Sequence, residues 1–68
     1  MNNFVYIQLS DLYEPELTNH IVREEKLSIW LTELPTTTEI AYIYEAVEDS
    51  DGELIKGKWI KNVEFNKL

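Results

Sequence analysis

Apolar and polar residues alternate along two runs that flank the dipeptide Asp51-Gly52, one from Glu39 to Val47 and one from Leu54 to Phe65. Asp-Gly between two alternating runs is a strong signal for a β-hairpin. A two-residue loop pairs Tyr44 with Trp59, and a four-residue loop pairs Tyr42 with Trp59. These registers differ by two residues, so both predict the same division of side chains between the two faces.

One predicted face is aromatic and nearly uncharged, so we expect it to form the core. The other face mixes isoleucine with a Glu–Lys pair, so we expect it to be partly wet and available for a covering helix or a homodimer contact. The predicted core face carries Ile40, Tyr42, Tyr44, Ala46, Ile55, Gly57, Trp59, Val63 and Phe65. The second face carries Ala41, Ile43, Glu45, Val47, Leu54, Lys56, Lys58 and Ile60, of which Ile43, Val47, Leu54 and Ile60 would make the homodimer contact.

A helix is the alternative for the first run. Ile40, Ile43, Tyr44 and Val47 follow helical spacing, and Thr36 with Glu39 could form a capping box. The alternative fold is therefore α+β, with a helix at about 37–49 packed on a three-stranded antiparallel sheet. The β-branched and aromatic residues of this run favour the strand.

Three further segments complete the predicted architecture. Residues 4–9 are β-branched and aromatic and predict a first strand. Residues 26–34 alternate as a strand that buries Leu27, Ile29 and Leu31 and turns Trp30 outward, although the spacing of Leu27, Trp30, Leu31 and Leu34 also fits a helix. A short helix could run from Pro15 to Glu24, and residues 62–68 could extend the last strand. The predicted fold is one mostly β domain over residues 1–68, a small antiparallel meander or barrel of four to five strands.

The net charge of the chain limits the classes of molecule that it could bind. The chain has 13 acidic and 6 basic residues and a net charge of −7, and residues 1–55 contain 12 of the acids and only Arg23 and Lys26 as bases. This balance argues against direct binding to nucleic acid or to an anionic membrane, and it suits a protein with a basic surface. The apolar runs are short, and the N-terminus does not read as a secretory signal, so we expect a cytoplasmic protein.

The sequence lacks the residue sets that catalysis needs. There is no cysteine and one histidine, His20, so no zinc ligand set can be assembled. Nothing in the spacing places His20 beside a serine with an orienting acid, as nucleophilic catalysis would require. The two glycines do not form a phosphate-binding loop. We therefore predict a protein that is not an enzyme and that has no metal site and no cofactor.

Two acidic clusters and one tryptophan are the candidate partner-binding residues. Carboxylates on a rigid scaffold present the planar charged oxygens that Arg and Lys bind in phosphates. In this respect the chain resembles the small, acidic, cysteine-free inhibitors that phages and mobile elements make against host enzymes. The resemblance implies an inhibitor or modulator of a nucleic-acid-processing enzyme, and the alternative is an accessory subunit bound through an apolar strand edge. The candidate residues are Asp11, Tyr13, Glu14 and Glu16 in the first cluster, Glu48, Asp49, Asp51 and Glu53 in the second, and Trp30.

Overall fold

A computed structural model describes residues 3–65 of the chain, which form one antiparallel sheet and a short helix. The strand order is β2-β1-β3-β4, so the sheet is open and β2 and β4 are its edges. The elements are β1 (Phe4–Asp11), β2 (Thr18–Arg23), a single 3-10 turn (Glu24–Lys26), α1 (Leu27–Thr32), β3 (Thr38–Glu48) and β4 (Leu54–Glu64). The mostly β prediction is confirmed, and the alternative helix at about 37–49 is wrong because β3 occupies that segment.

The middle of the chain differs from the predicted element order. The strand predicted over residues 26–34 is wrong, because residues 27–32 form α1 and the helical spacing places Leu27, Trp30, Leu31 and Leu34 against the core. The helix predicted over residues 15–24 is also wrong. Residues 18–23 instead form β2, which pairs along its whole length with β1. The segment that contains α1 then crosses from one side of β1 to the other, so the strand order departs from a simple meander.

The aliphatic face of the sheet is the core, which reverses the prediction for the two tyrosines of β3, whereas Val63 and Phe65 pack on the core as predicted. Ile7 and Ile43 are fully buried opposite each other in the β1–β3 register, whereas Tyr42 and Tyr44 are only partly buried on the other side. We call the two sides the covered face and the open face. The covered face consists of Val5, Ile7, Leu9, Val22, Ala41 and Ile43, packed by Leu27, Trp30, Leu31, Leu34, Val63 and Phe65.

The β3–β4 hairpin has a register that differs from both predicted registers. The turn spans three residues, 50–52, because Asp49 N–H donates to Glu53 O (2.9 Å) and Gly52 N–H donates to Asp49 O (3.0 Å). A loop with an odd number of residues shifts the pairing at the tip by one position from both predicted registers. A register shift between Ala46 and Tyr44 restores the predicted Tyr44–Trp59 pair, which lies on the open face. A second shift, between Tyr44 and Ile43, then pairs Ile43 with Lys61, one position away from the predicted Ile60.

The predicted homodimer surface is not available as a continuous patch. Ile43 is 1% exposed beneath the helix, so it cannot contact a second molecule. Val47 and Ile60 are exposed, and Leu54 is partly buried. Residues 66–68, over which the last strand was predicted to continue, lie outside the described residues. Within residues 3–65, α1 and the 3-10 turn are far too short to cross a membrane.

Candidate functional site

The β3–β4 turn, which contains the second acidic cluster, is held by one of its own carboxylates. Asp49 Oδ1 accepts hydrogen bonds from the backbone N–H groups of Asp51 (2.9 Å) and Glu53 (3.0 Å). Gly52 follows with φ +82°, the left-handed conformation that a three-residue hairpin turn requires after a type I turn. Asp49 is therefore a structural residue of the turn, and its carboxylate is already engaged.

The remaining carboxylates of this cluster point into solvent on a projecting hairpin. Glu45 is the last residue in the register that pairs β3 with β1, whereas the register of β3 with β4 continues through residues 46–48. The segment from Ala46 to Ile55 therefore forms a two-stranded projection, which we call the acidic finger. Its exposed acidic side chains are Glu48, Asp51 and Glu53.

The β1–β2 loop, which contains the first acidic cluster, has the same organisation. The Asp11 carboxylate accepts hydrogen bonds from the Thr37 hydroxyl (2.5 Å) and from Tyr13 N–H (2.9 Å). These donors, the Thr37 hydroxyl foremost, hold the pKa of Asp11 below its ordinary value of 3.8. Asp11 thus links the loop to the segment that enters β3, while Glu14 and Glu16 remain exposed and Tyr13 is 77% exposed.

The structure places the two clusters at opposite ends of the sheet. Asp11 pairs with Thr38 at the start of β3, and the acidic finger includes the other end of the same strand, at Glu48. An 11-residue strand at about 3.3 Å per residue separates the two ends by about 33 Å. The molecule is correspondingly elongated, with extents of 41 × 25 × 16 Å. The clusters cannot form one site, although a long partner surface could contact both.

Each end of the sheet also has a groove in which carboxylates border apolar side chains. At the first loop, Leu9, Leu34 and Pro35 lie beside Asp11, Glu14 and Glu16 in a cavity of about 270 Å³. At the base of the acidic finger, a wider groove of about 670 Å³ combines apolar side chains with three carboxylates. The wider groove is lined by Phe4, Val5, Ala46, Val47 and Ile60 and by Glu24, Glu45 and Glu48. Such grooves can accommodate the aliphatic stem and the cationic head of Lys or Arg.

The two tryptophans have exchanged the environments that the sequence predicted. Trp30, a predicted partner-binding residue, packs on the core and lies 5.4 Å from the His20 ring, centroid to centroid. Trp59, which was assigned to the core, is 59% exposed, and its indole N–H donates to Asn62 Oδ1 (2.7 Å). The prediction of an outward-facing Trp30 is therefore wrong, because the helix turns this side chain inward.

The open face is an aromatic and amide surface that sequence reasoning missed. The registers align Ile21, Tyr6, Tyr44 and Trp59 in one row across all four strands. Two cations flank this row: Lys56 Nζ lies 4.9 Å from the centre of the Tyr44 ring, and the Arg23 guanidinium lies 5.2 Å from that of Phe4. A second row contains Asn19, Gln8, Tyr42 and Asn62. Neither row contains a carboxylate, so the acidic ends of the sheet are separated by a surface without acidic side chains.

The single histidine and the potential metal ligands were the remaining candidates for a chemical site. His20 Nε2 lies 2.9 Å from the Thr18 hydroxyl, and no group of three or more potential metal ligands occurs within residues 3–65. The chain matches no protein-family model, no curated protein and no solved structure. The class that the fold defines is a small, open antiparallel sheet with one covering helix.

Proposed function

We propose that this chain is a small, non-enzymatic protein-binding module that inhibits or modulates a nucleic-acid-processing enzyme by presenting carboxylates to its basic surface. The observation that carries the proposal is the acidic finger, which displays Glu48, Asp51 and Glu53 beyond the body of the sheet. A cytoplasmic setting and an origin in a phage or mobile element belong to the same proposal, through the resemblance to inhibitors of that class.

The fixed backbone conformation of the acidic finger supports binding through its carboxylates. Asp49 and Gly52 fix the turn, so the exposed carboxylates project from a backbone that is already ordered. Preorganisation lowers the conformational entropy that binding would otherwise cost. Arg and Lys donate charge-assisted hydrogen bonds to carboxylates as they do to phosphates, which makes the finger a suitable occupant of a phosphate-binding surface.

The spacing of the acidic ends supports mimicry of a nucleic acid. The two ends are about 33 Å apart along β3, which is close to one turn of B-DNA, about 34–36 Å. A groove that binds one turn of duplex could therefore meet carboxylates at each end of this molecule. The grooves at both ends would then receive basic side chains of the enzyme.

Neutralising the finger without unfolding it tests the proposal. The variant Glu48→Gln, Asp51→Asn and Glu53→Gln leaves the turn residues Asp49 and Gly52 in place. The matched control Glu25→Gln, Glu33→Gln and Glu64→Gln removes the same charge from exposed positions outside both clusters. Both proteins are immobilised, bound proteins are captured from cell lysate at low and high salt, and duplex DNA is added as a competitor.

We expect the wild-type protein and the control to capture nucleic-acid-binding enzymes at low salt, and DNA and high salt to release them. The finger variant should lose this capture. Capture of the same enzymes by the finger variant at both salt concentrations would contradict the proposal.

A second candidate function is an accessory subunit of a larger assembly, bound through an apolar strand edge. The observation that favours it is Trp59, a large side chain that is 59% exposed on the edge strand β4. Tryptophan is enriched among the residues that dominate binding energy at interfaces. This function predicts capture that resists high salt and DNA, survives in the finger variant, and is lost in Trp59→Ala.

A further inference from the structure

The two edge strands of the sheet differ in how they are protected against pairing with another strand. β4 has two register shifts, and Lys56, Lys58 and Lys61 are exposed along it. Bulges and lysines are the devices by which proteins protect exposed sheet edges. β2 has an uninterrupted register with β1 from Thr18 to Arg23 and contains neither lysine nor proline. The β2 edge is thus the unprotected one.

The backbone N–H and C=O groups of β2 point towards β1 and away from it at alternate residues. Glu24 N–H donates to Asn3 O (2.7 Å), which makes Asn3 and Glu24 a hydrogen-bonded pair and sets the alternation along the ladder. His20 and Val22 therefore direct their backbone groups towards β1. Asn19, Ile21 and Arg23 direct theirs outward, where no strand within residues 3–65 pairs with them.

The side chains of the same three residues are exposed and lack negative charge. Ile21 is 41% exposed, and Asn19 and Arg23 are also exposed. Residues 17–23 include no carboxylate, although the chain as a whole has a net charge of −7. The β2 edge is therefore a surface on which two copies of this acidic chain can approach with little electrostatic repulsion.

The edge is complementary to itself in one antiparallel register. If a two-fold axis passes through Ile21, Ile21 lies opposite Ile21 of the partner subunit, and Asn19 lies opposite Arg23 of the partner subunit. All three outward-facing residues then exchange backbone hydrogen bonds, and the Asn19 amide oxygen can accept from the guanidinium. A register centred on Arg23 would instead place two guanidinium groups opposite each other, which is unfavourable.

We infer that β2 is a homodimerisation edge, which pairs with β2 of a second copy of this chain about a two-fold axis at Ile21. The product is a continuous eight-stranded antiparallel sheet with both helices on one side and both aromatic rows on the other. The contact is isologous, so it closes after two copies. This inference uses a surface separate from the acidic finger, and it does not depend on the proposed function.

Charge placed at the two-fold axis tests the dimer. Sedimentation velocity from about 1 to 500 µM is expected to show wild-type protein moving from 8.0 kDa to twice that mass. Ile21→Lys and Ile21→Glu should each weaken association at least tenfold, because like charges would then lie opposite each other. An equimolar mixture of the two variants should associate again. The matched control Ile60→Lys, at a residue of similar exposure (45%) on β4, should dimerise like wild type.

A cysteine at the axis gives a second measurement that does not depend on disrupting the edge. The chain has no cysteine, and residues opposite each other in such a pair have Cα atoms about 5.5 Å apart, within disulfide range. Mild oxidation should cross-link Ile21→Cys much faster than Ile60→Cys. A wild-type protein that is monomeric at 500 µM, equal cross-linking at both positions, or a charge mixture that stays monomeric would each overturn the inference.

Discussion

The covered and open faces of the sheet are formed by alternate residues of the same strands, and both are rich in apolar side chains. Aliphatic Ile7 and Ile43 lie beneath α1, while Tyr6, Tyr44 and Trp59 lie on the side without a helix. A phenol or indole has a polar end that remains hydrated when the ring is half-buried, whereas an isoleucine side chain has none. The difference shows that the shape and polarity of apolar residues, and not their number, decide which face becomes the core.

The largest expected difference between the two faces is in how much a substitution lowers the free energy of unfolding. Ile43→Ala removes a side chain that is 1% exposed, so we expect it to lower the free energy of unfolding by about 2–4 kcal/mol. Tyr44→Ala, one residue away on the open face, should cost less than half as much. Urea unfolding followed by circular dichroism measures both values. A Tyr44→Ala variant as destabilised as Ile43→Ala would show that the open face also acts as a core.

A smaller effect is expected where β4 bends to bring Trp59 onto the open face. A Cβ atom at Gly57 would lie 2.9 Å from both Glu45 O and Val47 Cγ1, closer than side chains tolerate. We expect Gly57→Ala to cost about 1–3 kcal/mol and to shift Trp59 fluorescence. The control is Gly52→Asn, because a Cβ atom at Gly52 has open space around it and Asn accepts positive φ. The control should keep the wild-type emission spectrum, and an unchanged spectrum in Gly57→Ala would contradict this role of the bend.

The smallest expected effect concerns the polar link between β1 and the entry to β3. Hydrogen bonds lower the folded-state pKa of Asp11 below 3.8, so its ionised form stabilises the fold. This contribution is complete above the ordinary pKa and is lost as pH falls through the lowered one. Thr37→Val should therefore lower Tm by a few degrees at pH 7, and the difference from wild type should close in acid.

Thr36→Val is the control for this measurement, because Thr36 is the exposed neighbour of Thr37. Its Tm should follow that of wild type at every pH. A Thr37→Val difference that persists unchanged at pH 2 would exclude the Asp11 carboxylate as its cause.

The sequence predicted the fold class because its strands are rich in β-branched and aromatic residues and because Asp51-Gly52 marks a turn. It favoured a strand over residues 26–34, where the structure has a helix, because that segment satisfies both periodicities. The choice depends on the long-range requirement that a helix cover Ile7 and Ile43. Local sequence contains no record of that requirement.

The assignment of faces failed for a different reason. The three-residue turn and the register shifts in β4 change which residues share a side, and neither is encoded by alternation alone. Among the candidate partner-binding residues, Tyr13 is 77% exposed, as a contact with a partner would require. The structural roles of Asp11 and Asp49 were not predicted, because they depend on backbone donors brought into place by folding.

The central strand β1 comes first in the chain, and this order has a kinetic consequence. Each hairpin, β1–β2 and β3–β4, can form from neighbouring residues, whereas the pairing of β1 with β3 joins segments on either side of α1. Contacts between distant segments form only after a loop has closed, so they reduce the rate of folding. The rate of folding should therefore be set by the pairing of β1 with β3, where Ile7 and Ile43 become buried opposite each other.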